Sequence, residues 1–211
     1  MSTISDRSHA IQFDQQDPLR GFRSRFVITD PDLIYMDGNS LGRLPLAAEG
    51  RINSLVKDEW GTDLVRGWNK GWWEAPQRVG ENIAQLVGTA PGQVVVSDST
   101  SVNLFKLTAS ALQLRPERSK IITDKLNFPS DLYILQGLVQ MLGSRHEIVR
   151  IGSKDGDLTP DLEAMLEAID ENTALVTLSH VVYKSGYLYD MQAITEKAHQ
   201  VDSLILWDLS H

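Results

Sequence analysis

The sequence has no cysteine, which excludes disulfides, thiolate metal sites and cysteine nucleophiles and leaves the redox compartment unread. No apolar run approaches the roughly 20 residues that a bilayer-spanning helix needs. The opening M-S-T-I-S-D-R-S-H also lacks the apolar core of a signal peptide. No membrane partner is therefore expected, and a cytoplasmic location is the default. Twenty lysines and arginines stand against 28 acidic residues, a formal net charge of -8, and they form no basic cluster. The electrostatic footprint of a nucleic-acid binder is missing. No G-x-G-x-x-G follows any strand-like run, which argues against a nucleotide-binding Rossmann module. No metal site is expected.

What is present is ordinary globular material: 211 residues, 42% hydrophobic and 23% charged, enough for one substantial core. The distribution along the chain is uneven. Residues 1 to about 17 are polar with little periodicity and read as a loose arm. Leu19, Phe22 and Phe26 then fall at helical spacing behind Asp17-Pro18, and Leu33 to Met36 reads as a short strand. It runs into Asp37-Gly38-Asn39-Ser40-Leu41-Gly42, which is either a plain β-turn or a place where the backbone approaches a ligand. Pro45 to about Val65 reads as a helix, and about Pro76 to Val87 as another, stopped by Gly88. Between them lies a crowd of tryptophans, Trp60, Trp68, Trp72 and Trp73. A buried cluster and an aromatic-lined pocket or subunit contact are both open for it.

From there the chain alternates. Strands are expected at Val94-Val96, Lys120-Thr123, His146-Ile151, Ala174-Leu178 and Leu204-Trp207. Helices are expected at Ser101-Leu112, Asp131-Leu142, Thr159-Ile169 and Met191-Val201. Short strands alternating with helices of ten or more residues are the signature of parallel βαβ units, so the fold class is α/β, a mainly parallel sheet flanked by helices.

In such a sheet ligands bind beyond the carboxyl ends of the strands, and polar segments fall there. Ser97-Asp98-Ser99-Thr100-Ser101 opens a helix and could hold an anion on N-H groups and hydroxyls, or could simply cap the helix. Asn127-Phe128-Pro129-Ser130-Asp131 offers a ring to stack on a flat heterocycle, or a core phenylalanine before a capped helix. Ser179-His180 follows a third strand. The last strand ends on Asp208, with His211 three residues on; Asp208 could cap the next turn or face a protonated ring nitrogen. A phosphate cradle, a stacking ring, a hydroxyl and a carboxylate on one rim are what pyridoxal phosphate (PLP) asks of a protein.

Tyr35 to Pro45 (Y-M-D-G-N-S-L-G-R-L-P), Asp98 to Lys106 (D-S-T-S-V-N-L-F-K), Asn127 to Tyr133 (N-F-P-S-D-L-Y), Leu178 to Gly186 (L-S-H-V-V-Y-K-S-G) and Trp207 to His211 (W-D-L-S-H) closely resemble kynureninase, a PLP enzyme of the fold type I aminotransferase superfamily. The resemblance implies that Thr100 and Ser101 hold the cofactor phosphate. It implies that Phe128, beside Pro129 and Ser130, stacks on the pyridine ring, and that Asp131 and Ser179 contact the ring's substituents. Asp208 would pair with the pyridine nitrogen, with His211 close by, and Asn39, Ser40 and Trp68 would lie towards the substrate. The implied reaction is hydrolysis of L-kynurenine, or its 3-hydroxy form, to anthranilate, or 3-hydroxyanthranilate, and L-alanine, in tryptophan catabolism and NAD biosynthesis. The family is homodimeric.

The pattern departs from the family in one respect. The lysine that forms the Schiff base lies beyond residue 211 in the family, and Lys184, in Y-K-S-G before Asp208, is not expected to replace it. The expectation is therefore a truncated large domain. Residues 1-65 would be an arm and helices, and 66-211 a partial PLP-binding domain, the N-terminal portion of a kynureninase that is inactive alone. A non-catalytic PLP-fold remnant or interaction module is the alternative.

Overall fold

The structure, a computed structural model, describes residues 6-211. The chain divides into two compact units, Met1–Val96 and Ser97–His211; the boundary expected at 65/66 falls inside the first. No described helix is long and apolar enough to cross a membrane.

The first unit is helical and has almost no interior. Helix α1 (Arg7–Gln16) begins where Asp6 accepts a hydrogen bond from the Ser8 N-H, 3.1 Å. The loose arm expected here is thus a capped helix over its described part, and Met1 to Ser5 lie outside the described residues. A 3-10 helix, Arg20–Arg25, takes the place of the helix expected up to Phe26. Helix α2 (Leu46–Ser54) does not run on to Val65. It widens into a π-helix, Leu55–Asp63, and tightens into a 3-10 helix, Leu64–Lys70. In the widened turn Glu59 meets Arg51 at 2.6 Å and accepts the Trp72 indole N-H at 2.7 Å. Helix α3 (Ala75–Val87) is as expected and ends on Gly88 in the left-handed region, φ +71°.

Two expected strands are absent. Leu33 to Met36 and Val94 to Val96 carry no ladder pairing among the described residues, and Ile34 and Met36 are 84% and 87% exposed. A β-branched run is a strand only when a neighbour takes its backbone groups. Val94 instead lies on Gly80 of α3, so closely that a Cβ at Gly80 would come within 2.1 Å of the Val94 carbonyl oxygen. Nor are the tryptophans a buried cluster. Trp60, Trp68 and Trp73 are exposed, and Trp60 and Trp72 line a concavity of about 710 Å³ with Arg51, Leu55, Pro76 and Val79.

The second unit contains helix α4 (Thr100–Leu114), strand β1 (Lys120–Asp124), α5 (Pro129–Met141), β2 (Glu147–Ile151), α6 (Leu162–Ala168), β3 (Thr173–Ser179), α7 (Met191–Gln200) and β4 (Leu204–Asp208). Helix α6 starts three residues later than expected, where Asp161 caps it by accepting the Ala164 N-H at 3.2 Å. The four strands lie in the order β2-β1-β3-β4 and every pairing is parallel. Alternation along the strands divides the core into two. Ile122, Val176 and Leu178 pack with Met165 of α6 and Ile194 of α7 on one face. Ile121 and Leu175 pack with Leu112 of α4 and Leu135 and Leu138 of α5 on the other. The same alternation assigns Thr123, Ser179 and Asp208 to the α4/α5 face, at the carboxyl ends of their strands.

Candidate cofactor site

At that rim the site is built from the ends of β1, β3 and β4 and the starts of α4 and α5. Parallel register sets Ser179 directly beside Asp208, and the His180 N-H donates to the Asp208 carbonyl at 2.8 Å. The Ser179 hydroxyl, buried, donates to Asn127 Oδ1 at 2.7 Å. That same oxygen accepts the Phe128 N-H at 2.9 Å, and the Asn127 amide donates to Thr123 Oγ1 at 3.3 Å. One buried side chain therefore ties β3 to the loop that carries Phe128. Asn127 was given no role in the sequence reading; its signal was an amide placed between a strand end and a Pro-started helix, where carbonyl and N-H groups both need partners.

Helix α5 begins at Pro129, where a missing N-H costs nothing. Ser130 donates to Asp131 Oδ1 at 3.3 Å. Asp131, in the first turn, is only 3% exposed. Its carboxyl is pushed up to about 6, first by burial and then by the negative charge of Asp208, which lies within hydrogen-bonding reach of it. Asp208 also caps its own turn, its Oδ1 accepting the Ser210 N-H at 2.8 Å and hydroxyl at 2.6 Å. The capping reading of Asp208 is thus correct as geometry, and it leaves the carboxylate fixed on the rim. Among the described residues neither Asp131 nor Asp208 has a lysine or arginine partner within salt-bridge distance.

Three rings, Phe128, Tyr183 and His211, meet in the loops after these strands. Phe128, 38% exposed, has its centroid 5.5 Å from His211 and 5.0 Å from Tyr183. The His211 Nδ1 is buried and has no hydrogen-bond partner among the described residues. Helix α4 is capped by Ser99, whose hydroxyl accepts the Val102 N-H at 3.4 Å. Ser97, the first hydroxyl of the run, donates to Asp98 at 3.0 Å, and Ser99 is the one that the cap consumes. Thr100 and Ser101 follow with no side-chain hydrogen bond among the described residues, and Asp98 is neutralised by a bond to Lys106 that holds its carboxyl below the usual range.

Thr100 and Ser101 thus open the helix at this rim, and Phe128, Pro129, Ser130, Asp131, Ser179, Asp208 and His211 form a connected group. Asn39, Ser40 and Trp68 belong to the first unit. Asn39 and Ser40 sit in an exposed turn closed by the Ser40 N-H on the Asp37 carbonyl, 3.2 Å. Trp68 packs at 6.3 Å on Trp72 and 5.9 Å on Trp73; no hydrogen bond or ring contact among the described residues joins it to Asn39 or Ser40. Lys184 is exposed, its ammonium 5.6 Å from the Tyr183 ring.

A parallel sheet with this rim is the scaffold of a PLP-type enzyme domain, and the comparisons agree. Residues 69–211, about two-thirds of the chain, match the family Aminotransferase class-V, and the chain belongs to that family. It is 41% identical to the kynureninase of Pseudomonas fluorescens over 213 residues, covering 99% of this chain and 49% of that protein. It is equally similar to the kynureninase of Burkholderia pseudomallei (strain 1106a), with the same coverage. The chain spans about half the length of these curated relatives. Among solved structures, it superposes on an apo cysteine desulfurase from Thermococcus onnurineus NA1 with a TM-score of 0.69 at 20% identity, covering 90% of this chain and 46% of that one. A C-DES variant with glycine covalently linked to its PLP cofactor gives 0.67 at 15% identity, over 86% and 48%. These likenesses show the fold.

The residues fit such a cofactor. Two carboxylates facing each other without a cation leave room for one protonated nitrogen, the orphaned His211 Nδ1 has a bond to give or take, and unengaged hydroxyls open a helix whose N-terminus attracts anions.

Proposed function

We propose that this chain is part of a kynureninase and that its second unit binds PLP. The observation that carries the reading is the Asp131-Asp208 pair, a buried carboxyl beside a half-buried one with no cation on either, set beside a stacking-competent Phe128 at the mouth of a parallel sheet. The reaction is hydrolysis of L-kynurenine, or its 3-hydroxy form, at the bond between the β and γ carbons. Water is consumed, and anthranilate, or 3-hydroxyanthranilate, and L-alanine are released, a step of tryptophan catabolism and NAD biosynthesis.

Bound at this rim, the cofactor supplies an electron sink for the electrons left on the substrate carbon. The chain's own residues make that possible. Thr100 and Ser101 bind the phosphate with the N-H groups of α4. Phe128 covers one face of the ring and keeps water from it. Asp208 holds a proton at the pyridine nitrogen, and removing that charge weakens the sink. Asp131 and the Ser179-Asn127 pair orient the ring's substituents, with His211 beside them. Asn39, Ser40 and Trp68 serve the substrate. The complete enzyme is a cytoplasmic homodimer with a small-molecule substrate and no nucleic-acid or membrane partner, and its covalent lysine is not Lys184.

The test is Asp208→Ala in the complete enzyme. Turnover is expected to fall by about 100- to 1,000-fold or more; near-normal activity sinks the assignment. Borohydride reduction of the chain with PLP checks the lysine, since covalent fixation of the cofactor at Lys184 would overturn that part of the reading.

A further inference from the structure

We propose that Tyr183 is a further residue of the cofactor pocket, a positioning residue that acts through Phe128 and fixes the plane in which that ring meets a flat heterocycle. The inference rests on the PLP reading above and adds to it a residue and a mechanism of pre-organisation.

Phe128 alone is poorly suited to stack. It stands at the end of a loop, before the first turn of α5, and much of its ring is open to solvent. A stacking ring contributes most when its plane is set before the ligand arrives. Tyr183 supplies the missing contact. The two rings meet at 5.0 Å and 70°, an edge-to-face geometry within the range that aromatic pairs prefer. His211 stands 5.9 Å from Tyr183 and 5.5 Å from Phe128, tilted by 35° and 36°. The three planes therefore open like a fan with the imidazole in the middle.

Tyr183 is itself well held. The Val182 N-H donates to the Tyr187 carbonyl at 2.9 Å and the Gly186 N-H to the Val182 carbonyl at 2.8 Å, and Val181 bridges Leu188. Gly186, at φ +72°, supplies the left-handed turn that closes this small hairpin. At its foot the Tyr189 N-H donates to the His180 carbonyl at 3.0 Å, and the buried Tyr189 hydroxyl donates to Asp124, the last residue of β1. Burial pushes the Asp124 carboxyl up and the Tyr189 hydroxyl up as well. The loop bearing Phe128 leaves from that same strand end. The two rings thus hang from loops tied together twice, through Tyr189-Asp124 and through Ser179-Asn127.

The experiment is PLP binding to the chain by equilibrium dialysis, with the induced circular dichroism of the bound cofactor read per mole bound and inorganic phosphate as a second probe. Tyr183→Ala is expected to weaken PLP about 2- to 10-fold and to change the induced signal of the cofactor that remains bound. Tyr183→Phe keeps both, and phosphate binding at α4 is unchanged in either variant. The proposal is overturned if Tyr183→Ala binds PLP with wild-type affinity and signal, if phosphate binding falls in parallel, or if Tyr183→Phe is as damaged as the alanine variant. If the wild-type chain takes phosphate but no PLP, the functional reading itself falls and takes this proposal with it.

Discussion

In Ser97–His211 a four-stranded sheet is covered on both faces, and its side chains vanish from solvent: Ile121, Ile122, Leu135, Met165, Val176, Leu178 and Ile194 are completely or almost completely buried. Met1–Val96 is also rich in apolar residues, yet among its described residues only Gly67, Gly80 and Ala84 are buried. The difference teaches what a sheet does for a chain. A strand presents two faces at once and satisfies its backbone laterally, so helices on either side find a ready apolar wall. The short helices of the first unit bury almost none of their large apolar side chains among the described residues.

Four expectations would break or sharpen this contrast. The largest concerns the cores. Leu175→Ala should cost about 2-5 kcal/mol, whereas Ile34→Ala in the first unit should stay within about 0.5 kcal/mol. Urea midpoints decide, and equal effects would erase the distinction between the units.

The second is electrostatic. The folded-state carboxyl of Asp131 is raised from 3.8 to about 6. The stabilisation from its protonated form is present in full below the unfolded value and is lost as pH rises through about 6. Asp131→Asn does not titrate. Its stability relative to the wild type should therefore climb between pH 4 and 7, by on the order of 2-3 kcal/mol, in denaturant titrations without cofactor. A pH-independent difference would mean that Asp131 is not as buried, or as close to Asp208, as the structure has it.

Third, Gly80→Ala forces a methyl group into the Val94 backbone. It should loosen α3 from residues 94-96 by about 1-3 kcal/mol, seen as faster amide exchange confined to the first unit. Unchanged exchange would mean that α3 does not rest on residues 94-96. The smallest effect belongs to the rim: Ser179→Ala removes a buried hydroxyl donor from Asn127 and should cost about 1-2 kcal/mol. A smaller loss would show that water replaces it.

The elements of the second unit were legible because local and tertiary preferences agree there. Val176 to Leu178 is both β-branched or apolar in type and placed between two helical layers. Val94 to Val96 has the same local character but pairs with no neighbour among the described residues, so it carries no ladder. Arg7 to Gln16 has little helical periodicity and is nonetheless a helix, started by the Asp6 cap. In the candidate site, Thr100, Phe128, Asp131, Ser179 and Asp208 could be picked out because each follows a strand or opens a helix. What their side chains do to one another could not. The raised Asp131 carboxyl needs Asp208, 77 positions on in the sequence, and the Phe128-Tyr183 contact needs two loops from different strands.

The sequence by itself determined the α/β alternation, the family and the set of polar residues at the strand ends, because these follow from periodicity, turn chemistry and motifs within a few residues of one another. Only the tertiary structure decided which apolar runs are buried, which carboxylates share a site, and which rings touch. Those depend on parallel register and on the packing of segments far apart in the chain, and burial and charge interactions exist only once that packing is made.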